Sequence, residues 1–181
     1  MSDVHTIAVI GAGTMGSGIA LVAASSGYDV LLVDVSEDQL SKAKAYHAKI
    51  SARNIEKGRV TQEDSDTALA RVRTCTNMEG LMDADWIVEA ATEQVDLKKK
   101  IFQQMAQHAQ NEVVLATNTS SISITDLASA VPEAEDRVIG MHFFNPVPVM
   151  KLVEVIKGRA TSEQTTARTI ALSESMGKTP I

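Results

Sequence analysis

Cysteine is nearly missing from this chain. A single one, Cys75, stands among 181 residues, which excludes an internal disulfide framework and fits a reducing compartment. With no motif around it, Cys75 reads as a buried filler and not as a nucleophile. Long hydrophobic runs are missing too: no apolar stretch approaches the ~20 residues that span a bilayer. The amino-terminal "VHTIAVI" has no basic flank and runs straight into a glycine-rich turn, so no secretory leader is read there. Positive charge is in deficit. The net charge of −6 argues against a general nucleic-acid binder, while a local cationic patch can still hold a phosphorylated small molecule. Repeats, low-complexity linkers and metal-ligand patterns are absent as well. These exclusions leave a soluble, cytoplasmic chain of one domain, residues 1–181, large enough to bury a substantial core.

Within that domain, apolar runs of strand length alternate with helix-length periodic segments. "TIAVI" (6–10), "VLLV" (30–33), "WIVEA" (86–90), "VVLAT" (113–117) and "VIGMHFF" (138–144) read as strands. Being apolar on both faces, they suit a buried parallel sheet. The segment 36–58 opens with Ser36 and Gln39 in capping-box spacing and meets Gly58 where a C-cap is expected. In "LKKKIFQQMAQHAQ", Leu97, Ile101, Met105 and Ala109 fall on one helical face. A last helix, with Thr161 and Gln164 as its capping box, closes at Gly177, and a new strand begins at "TPI". The order predicts an α/β fold, a doubly wound and mainly parallel sheet with helices on both faces and right-handed crossovers. His5, His47 and His108 are expected on the surface.

"GAGTMGSGIA" sets Gly11, Gly13 and Gly16 in G-x-G-x-x-G spacing, directly after a strand and opening a helix. The first glycine permits the tight turn, the second lets a pyrophosphate approach the backbone, and the third lets helix and strand pack closely. The next strand ends in Asp34, close to the ~20-residue offset of a ribose-binding carboxylate. Such a carboxylate repels a 2′-phosphate, and neither Val35 nor Ser36 offers a cation, so NAD is favoured over NADP.

The stretch "GMHFFNPVPVMKLVEVIKG" (140–158) carries the chemistry. If its two apolar runs form a hairpin centred on residue 148, His142 and Glu154 face each other. A histidine with a carboxylate on one nitrogen and its other nitrogen free is a general base, and histidine is suited to exchange protons near neutral pH. On residue types alone, a core histidine with an incidental carboxylate explains the pair equally well. The end of a sheet strand, where open α/β sheets bind ligands, decides for the base. "TNTSSISI" (117–124) supplies one helix cap and, beyond it, more short polar side chains than a cap needs: Asn118, Thr119, Ser120 and Ser121. Phe143 and Phe144 are read first as core. Among the cations, Lys98 and Lys57 are singled out to meet phosphates; the others form solvated helix faces.

Taken together, the residues resemble the NAD-binding half of the L-3-hydroxyacyl-CoA dehydrogenases, a family that includes bacterial 3-hydroxybutyryl-CoA dehydrogenases. The resemblance is carried by "IGAGTMGSGIA", "VDVSED", "IVEAATEQVDLKKKIF", "TNTSSISI", "HFFNPVPVMKLVEVI" and "GKTP", and it covers the chain. It implies a Rossmann-type fold and the NAD-dependent oxidation of (S)-3-hydroxyacyl-CoA to 3-oxoacyl-CoA in fatty-acid or butanoate metabolism. His142 matches the catalytic base, Glu154 the acid paired with it, and Ser120 the serine that hydrogen-bonds the substrate oxygen. Gly11, Ala12, Gly13, Thr14, Met15, Gly16, Asp34, Glu93, Lys98, Asn118 and Ser120 are assigned to the cofactor, and Ser120, Asn145 and Lys57 to the acyl-CoA substrate, with Lys57 at its CoA end. The family continues into a helical second domain that closes the acyl cleft and forms a homodimer, so the chain is expected to be the amino-terminal domain alone. Two alternatives stay open: a sugar-acid (3-hydroxy acid) dehydrogenase of the same superfamily, and an NAD-binding fragment without turnover.

Overall fold

The computed structural model describes residues 4–181. Its strands are β1 (Thr6–Ile10), β2 (Asp29–Val33), β3 (Val72–Cys75), β4 (Trp86–Glu89), β5 (Val114–Thr117), β6 (Val138–Phe143), β7 (Leu152–Lys157) and β8 (Thr179–Pro180). The helices are α1 (Thr14–Ser25), α2 (Glu37–Glu56), α3 (Gln62–Ala70), α4 (Val95–His108), α5 (Ile124–Ala128) and α6 (Glu163–Ser175). All eight strands form one sheet in the order β3-β2-β1-β4-β5-β6-β7-β8. Every neighbouring pair is parallel except β6 and β7. The chain therefore folds as a Rossmann-type, doubly wound α/β sheet. Successive residues of the central strands feed two separate cores. Ile7, Val9, Val30 and Leu32 pack with α1, α2 and α6, while Ala8, Ile10, Leu31 and Val33 pack with α4 and α5. Burial on both faces is why these strands are continuously apolar. Strand order reverses between β1 and β4, which opens a crevice beyond their carboxyl ends.

Local signals explain most boundaries. Ser36 caps α2, its hydroxyl accepting from the Gln39 amide, and Gly58, at φ 65°, leaves the helix in the left-handed conformation. Several expectations are corrected. Ser162, not Thr161, caps α6, because the Thr161 hydroxyl already donates to the Val138 carbonyl and accepts from the Gly158 amide. The buried face of α4 is Lys98, Ile101, Phe102 and Met105, and Leu97 is left 45% exposed. His47 is not a surface residue: it is 2% exposed and its Nε2 donates to the Ser17 carbonyl of α1 at 2.7 Å. Cys75 is only partly buried, at the end of the edge strand β3, with its thiol donating to the Asn77 carbonyl. Neither β3 nor α3 was foreseen.

Candidate active site

The crevice is shaped by backbone before side chains enter it. Gly11, at φ 101°, turns the chain out of β1, and a Cβ there would lie 2.6 Å from the Ala90 carbonyl oxygen. A Cβ on Gly16 would lie 1.8 Å from the Gly11 carbonyl oxygen, so only glycine lets α1 start this close to the strand. Gly13 has open space within 4 Å of its would-be Cβ. It is also the N-cap of α1, which has no side-chain cap and no acidic residue in its first turn. Unpaired N–H groups at a helix start, facing open space, fit an anionic phosphate pair. Thr14 and Met15 complete that first turn, and the buried Ala12 donates its N–H to Asp34 Oδ2 at 2.9 Å.

Asp34 lies just past β2 and its other oxygen accepts from the Ser36 amide at 2.9 Å. The carboxylate is thereby fixed at the rim of a crevice of about 590 Å³ whose walls include Ile10, Gly11, Asp34, Ala91, Thr92 and Leu97. Among the described residues no lysine or arginine lines it, and the neighbouring Val35 is 91% exposed. The exposure of Leu97 is thus explained, since its apolar side chain faces the crevice and not the core. Lys98 does not face it. This lysine is 1% exposed and ion-paired with Glu89 beneath the strand ends, so the expectation that it meets phosphates is corrected. Glu93 stands above, exposed, with its Oε2 accepting from the Thr119 hydroxyl at 2.9 Å.

On the far side of β5 the hairpin register is as the sequence predicts: His142 pairs with Glu154 across β6 and β7. His142 Nδ1 lies 2.7 Å from Glu154 Oε2. With Nδ1 protonated, the imidazole donates to the carboxylate and leaves the Nε2 lone pair free. The Phe144 ring packs on the imidazole at 4.7 Å between centroids. Asn118 locks the neighbouring strand ends together, its Oδ1 accepting from the Phe143 amide and its own N–H donating to the Glu89 carbonyl. Since Thr117 pairs with Gly140, the exposed Ser120 and His142 both lie just beyond that pair, on the same carboxyl edge of the sheet. Among the described residues, no metal-binding group of three or more His, Cys, Asp or Glu side chains converges.

The turn after β6 runs through exposed Asn145 and a cis bond to Pro146. It is braced from behind by Lys178, whose ammonium donates to the Val147 and Met150 carbonyls. Burial lowers the pKa of Lys178 from the ordinary lysine range. In front, Pro146, Pro148 and Val149 face Tyr46, Arg53 and Lys57 across a groove of about 470 Å³. Burial also raises the Tyr46 phenol above its ordinary range. Lys57 thus lines the groove shared with the hairpin turn and not the crevice beside the glycine turn. Sequence reasoning missed Glu89, whose only signal was a carboxylate closing an otherwise apolar strand.

Comparison with known proteins gives the family of the chain. The family model described as 3-hydroxyacyl-CoA dehydrogenase, NAD binding domain, matches residues 6–181. A 3-hydroxyadipyl-CoA dehydrogenase of Escherichia coli is 46% identical over the whole chain, which spans 38% of that protein. A 3-hydroxybutyryl-CoA dehydrogenase of Clostridioides difficile is 44% identical, with 97% of this chain matched to 62% of the relative. The crystal structure of an (S)-3-hydroxybutyryl-CoA dehydrogenase from Ralstonia eutropha superposes with a TM-score of 0.96 at 47% identity, covering 99% of this chain and 63% of that one. The chain thus spans less than two thirds of the length of each of these relatives.

Proposed function

From the membership of this chain in the 3-hydroxyacyl-CoA dehydrogenase family, as its NAD binding domain, we propose that it carries the cofactor and proton-transfer half of an NAD-dependent (S)-3-hydroxyacyl-CoA dehydrogenase. The observation that supports the reading best is the His142–Glu154 pair, 2.7 Å apart at a strand end beside the crevice. Nε2 of His142 takes the proton of the substrate hydroxyl while Glu154 stabilises the imidazolium, and both return to their starting state when the proton leaves to solvent. NAD, when bound, accepts the hydride from the same carbon, which leaves the 3-oxo group. Ser120 donates its hydroxyl hydrogen to the substrate oxygen. Gly11, Ala12, Gly13, Thr14, Met15 and Gly16 hold the pyrophosphate, and Asp34 accepts from the ribose hydroxyls. Leu97 offers an apolar wall to the adenine, and Glu93 and Asn118 flank the nicotinamide end. Phe144 shields the imidazole from water.

The groove along Lys57 takes the CoA end, with Asn145 nearer the acyl group. We assign the second wall of the acyl cleft, and a dimer contact, to the part of the relatives' length that this chain does not span. The working compartment is the cytoplasm. Among the described residues no helix is long and apolar enough to cross a membrane. The test is NADH oxidation followed spectrophotometrically with acetoacetyl-CoA and with free acetoacetate, on this chain and on a form extended to the relatives' length. The thioester is expected to turn over in the extended form and the free acid to be ignored. Equal rates with both would replace the acyl-CoA reading by a free 3-hydroxy acid dehydrogenase.

A further inference from the structure

Glu89, the last residue of β4, is a carboxylate at 0% exposure. Burying a charge is costly unless it is paired and every lone pair is used. Here both oxygens are committed. Oε1 accepts from the Ala91 amide at 2.7 Å and from the Thr92 amide at 3.4 Å. Oε2 accepts from the Thr117 hydroxyl at 2.8 Å and from the Lys98 ammonium. An apolar pair of similar volume would fill this space at least as stably as an ion pair. What it would not do is accept hydrogen bonds from the loop.

That loop is part of the cofactor crevice. Ala91 and Thr92 line it, and the Ala90–Ala91 backbone is the surface against which a Cβ on Gly11 would collide. On its other side the Glu89 carbonyl accepts from Asn118, whose side chain holds the Phe143 amide next to His142. We propose that Glu89 is a positioning residue for the dinucleotide: its Oε1 sets the path of the Ala91–Thr92 backbone that closes the crevice against the glycine turn. Lys98 serves as its buried counter-ion and not as a cofactor ligand. The inference rests on the crevice being the NAD site.

Two charge-balanced double variants of this chain separate the roles. Glu89→Gln with Lys98→Met removes the ion pair but keeps an acceptor for the loop. Glu89→Leu with Lys98→Met removes both. The expected result is an NADH Kd at least tenfold weaker in the Leu/Met variant than in the Gln/Met variant, with cooperative thermal unfolding in each. Equal affinities, whether both retained or both lost, overturn the proposal. Both retained makes the pair merely structural, and both lost by tenfold or more makes Lys98 a direct ligand. Amide hydrogen exchange in the cofactor-free wild-type chain gives a second reading that needs no variant to fold. Ala91 and Thr92 are expected to be protected, and exchange at open-loop rates overturns the assignment. A folded wild-type chain that does not bind NADH at all would instead remove the crevice assignment.

Discussion

Two alanine substitutions within one turn should fail in opposite ways. At Gly13 the φ of −71° is open to any residue and a Cβ meets nothing within 4 Å. Gly13→Ala therefore keeps the fold: the entropic gain of about 0.4–1 kcal/mol is offset by the poorer N-cap that alanine makes at the start of α1, so Tm should stay within roughly 3 °C of wild type. On the proposed reading of the crevice, the same methyl group would fill the space through which a pyrophosphate reaches the start of α1. Losing one charge-assisted hydrogen bond costs about 1.5–3 kcal/mol, so the NADH Kd should weaken roughly ten- to a hundredfold. At Gly16 the new Cβ lands 1.8 Å from the Gly11 carbonyl oxygen and 2.8 Å from its carbon. Both atoms are backbone and cannot rotate away, so α1 has to move out by about 1 Å or more to restore ordinary contact. Overpacking of this kind costs about 1–3 kcal/mol, and so severe a contact puts it near the top of that range. A Tm loss of roughly 6–12 °C is expected, with cofactor affinity falling as well. Differential scanning calorimetry and NADH fluorescence titration on the two variants decide the matter. Wild-type NADH affinity in Gly13→Ala would show that no pyrophosphate passes over that residue, and an unchanged Tm in Gly16→Ala would refute the packing argument.

Asp34→Asn should narrow the preference for NADH over NADPH, since a 2′-phosphate then meets no like charge; an unchanged ratio in paired titrations would take Asp34 out of the ribose role. In a form extended to the relatives' length, His142→Gln should lower kcat by roughly 10²–10⁴ and Glu154→Gln by less, with NADH affinity largely kept. Early unfolding or lost NADH binding in either variant would favour a purely structural histidine. Burial holds His47 below the ordinary imidazole range, partly opposed by its bond to the Ser17 carbonyl. The folded chain thus resists protonation where the unfolded chain accepts it, so this contribution to stability is full above about pH 6.5 and is lost as pH falls below that. Urea midpoints should accordingly drop faster between pH 7 and 5 in the wild type than in His47→Gln; parallel curves would contradict the assignment.

How much of this could be read from the sequence depends on whether the signal is local. The five apolar strands, the glycine turn and the cap at Ser36 each follow from a few neighbouring residues, and each is found where expected. The His142–Glu154 register was readable because a hairpin converts sequence symmetry about residue 148 into spatial pairing. β3 escaped because "VRTC" is a short edge strand with an exposed arginine and no buried face to make it apolar. His47 escaped because a histidine on a charged helix looks solvated until α1 is packed against it.

The Glu89–Lys98 pair shows why the remainder was out of reach. Periodicity assigns Leu97 to the core of α4 and Lys98 is expected at a phosphate, whereas the structure buries Lys98 and leaves Leu97 on the crevice. The reversal has one cause. A buried carboxylate at the end of β4 demands a counter-charge, α4 returns over the strand ends, and the lysine nine residues on meets it. Turning the helix to bury that ammonium swings Leu97 toward the crevice, where an apolar side chain is useful beside a nucleotide base. Hydrophobic patterning treats every charge as solvent-seeking, which holds only while the charge has no partner inside. At the edge of a ligand crevice, backbone N–H groups must be satisfied from below without filling the site from above. That is the place where such a partner is to be sought.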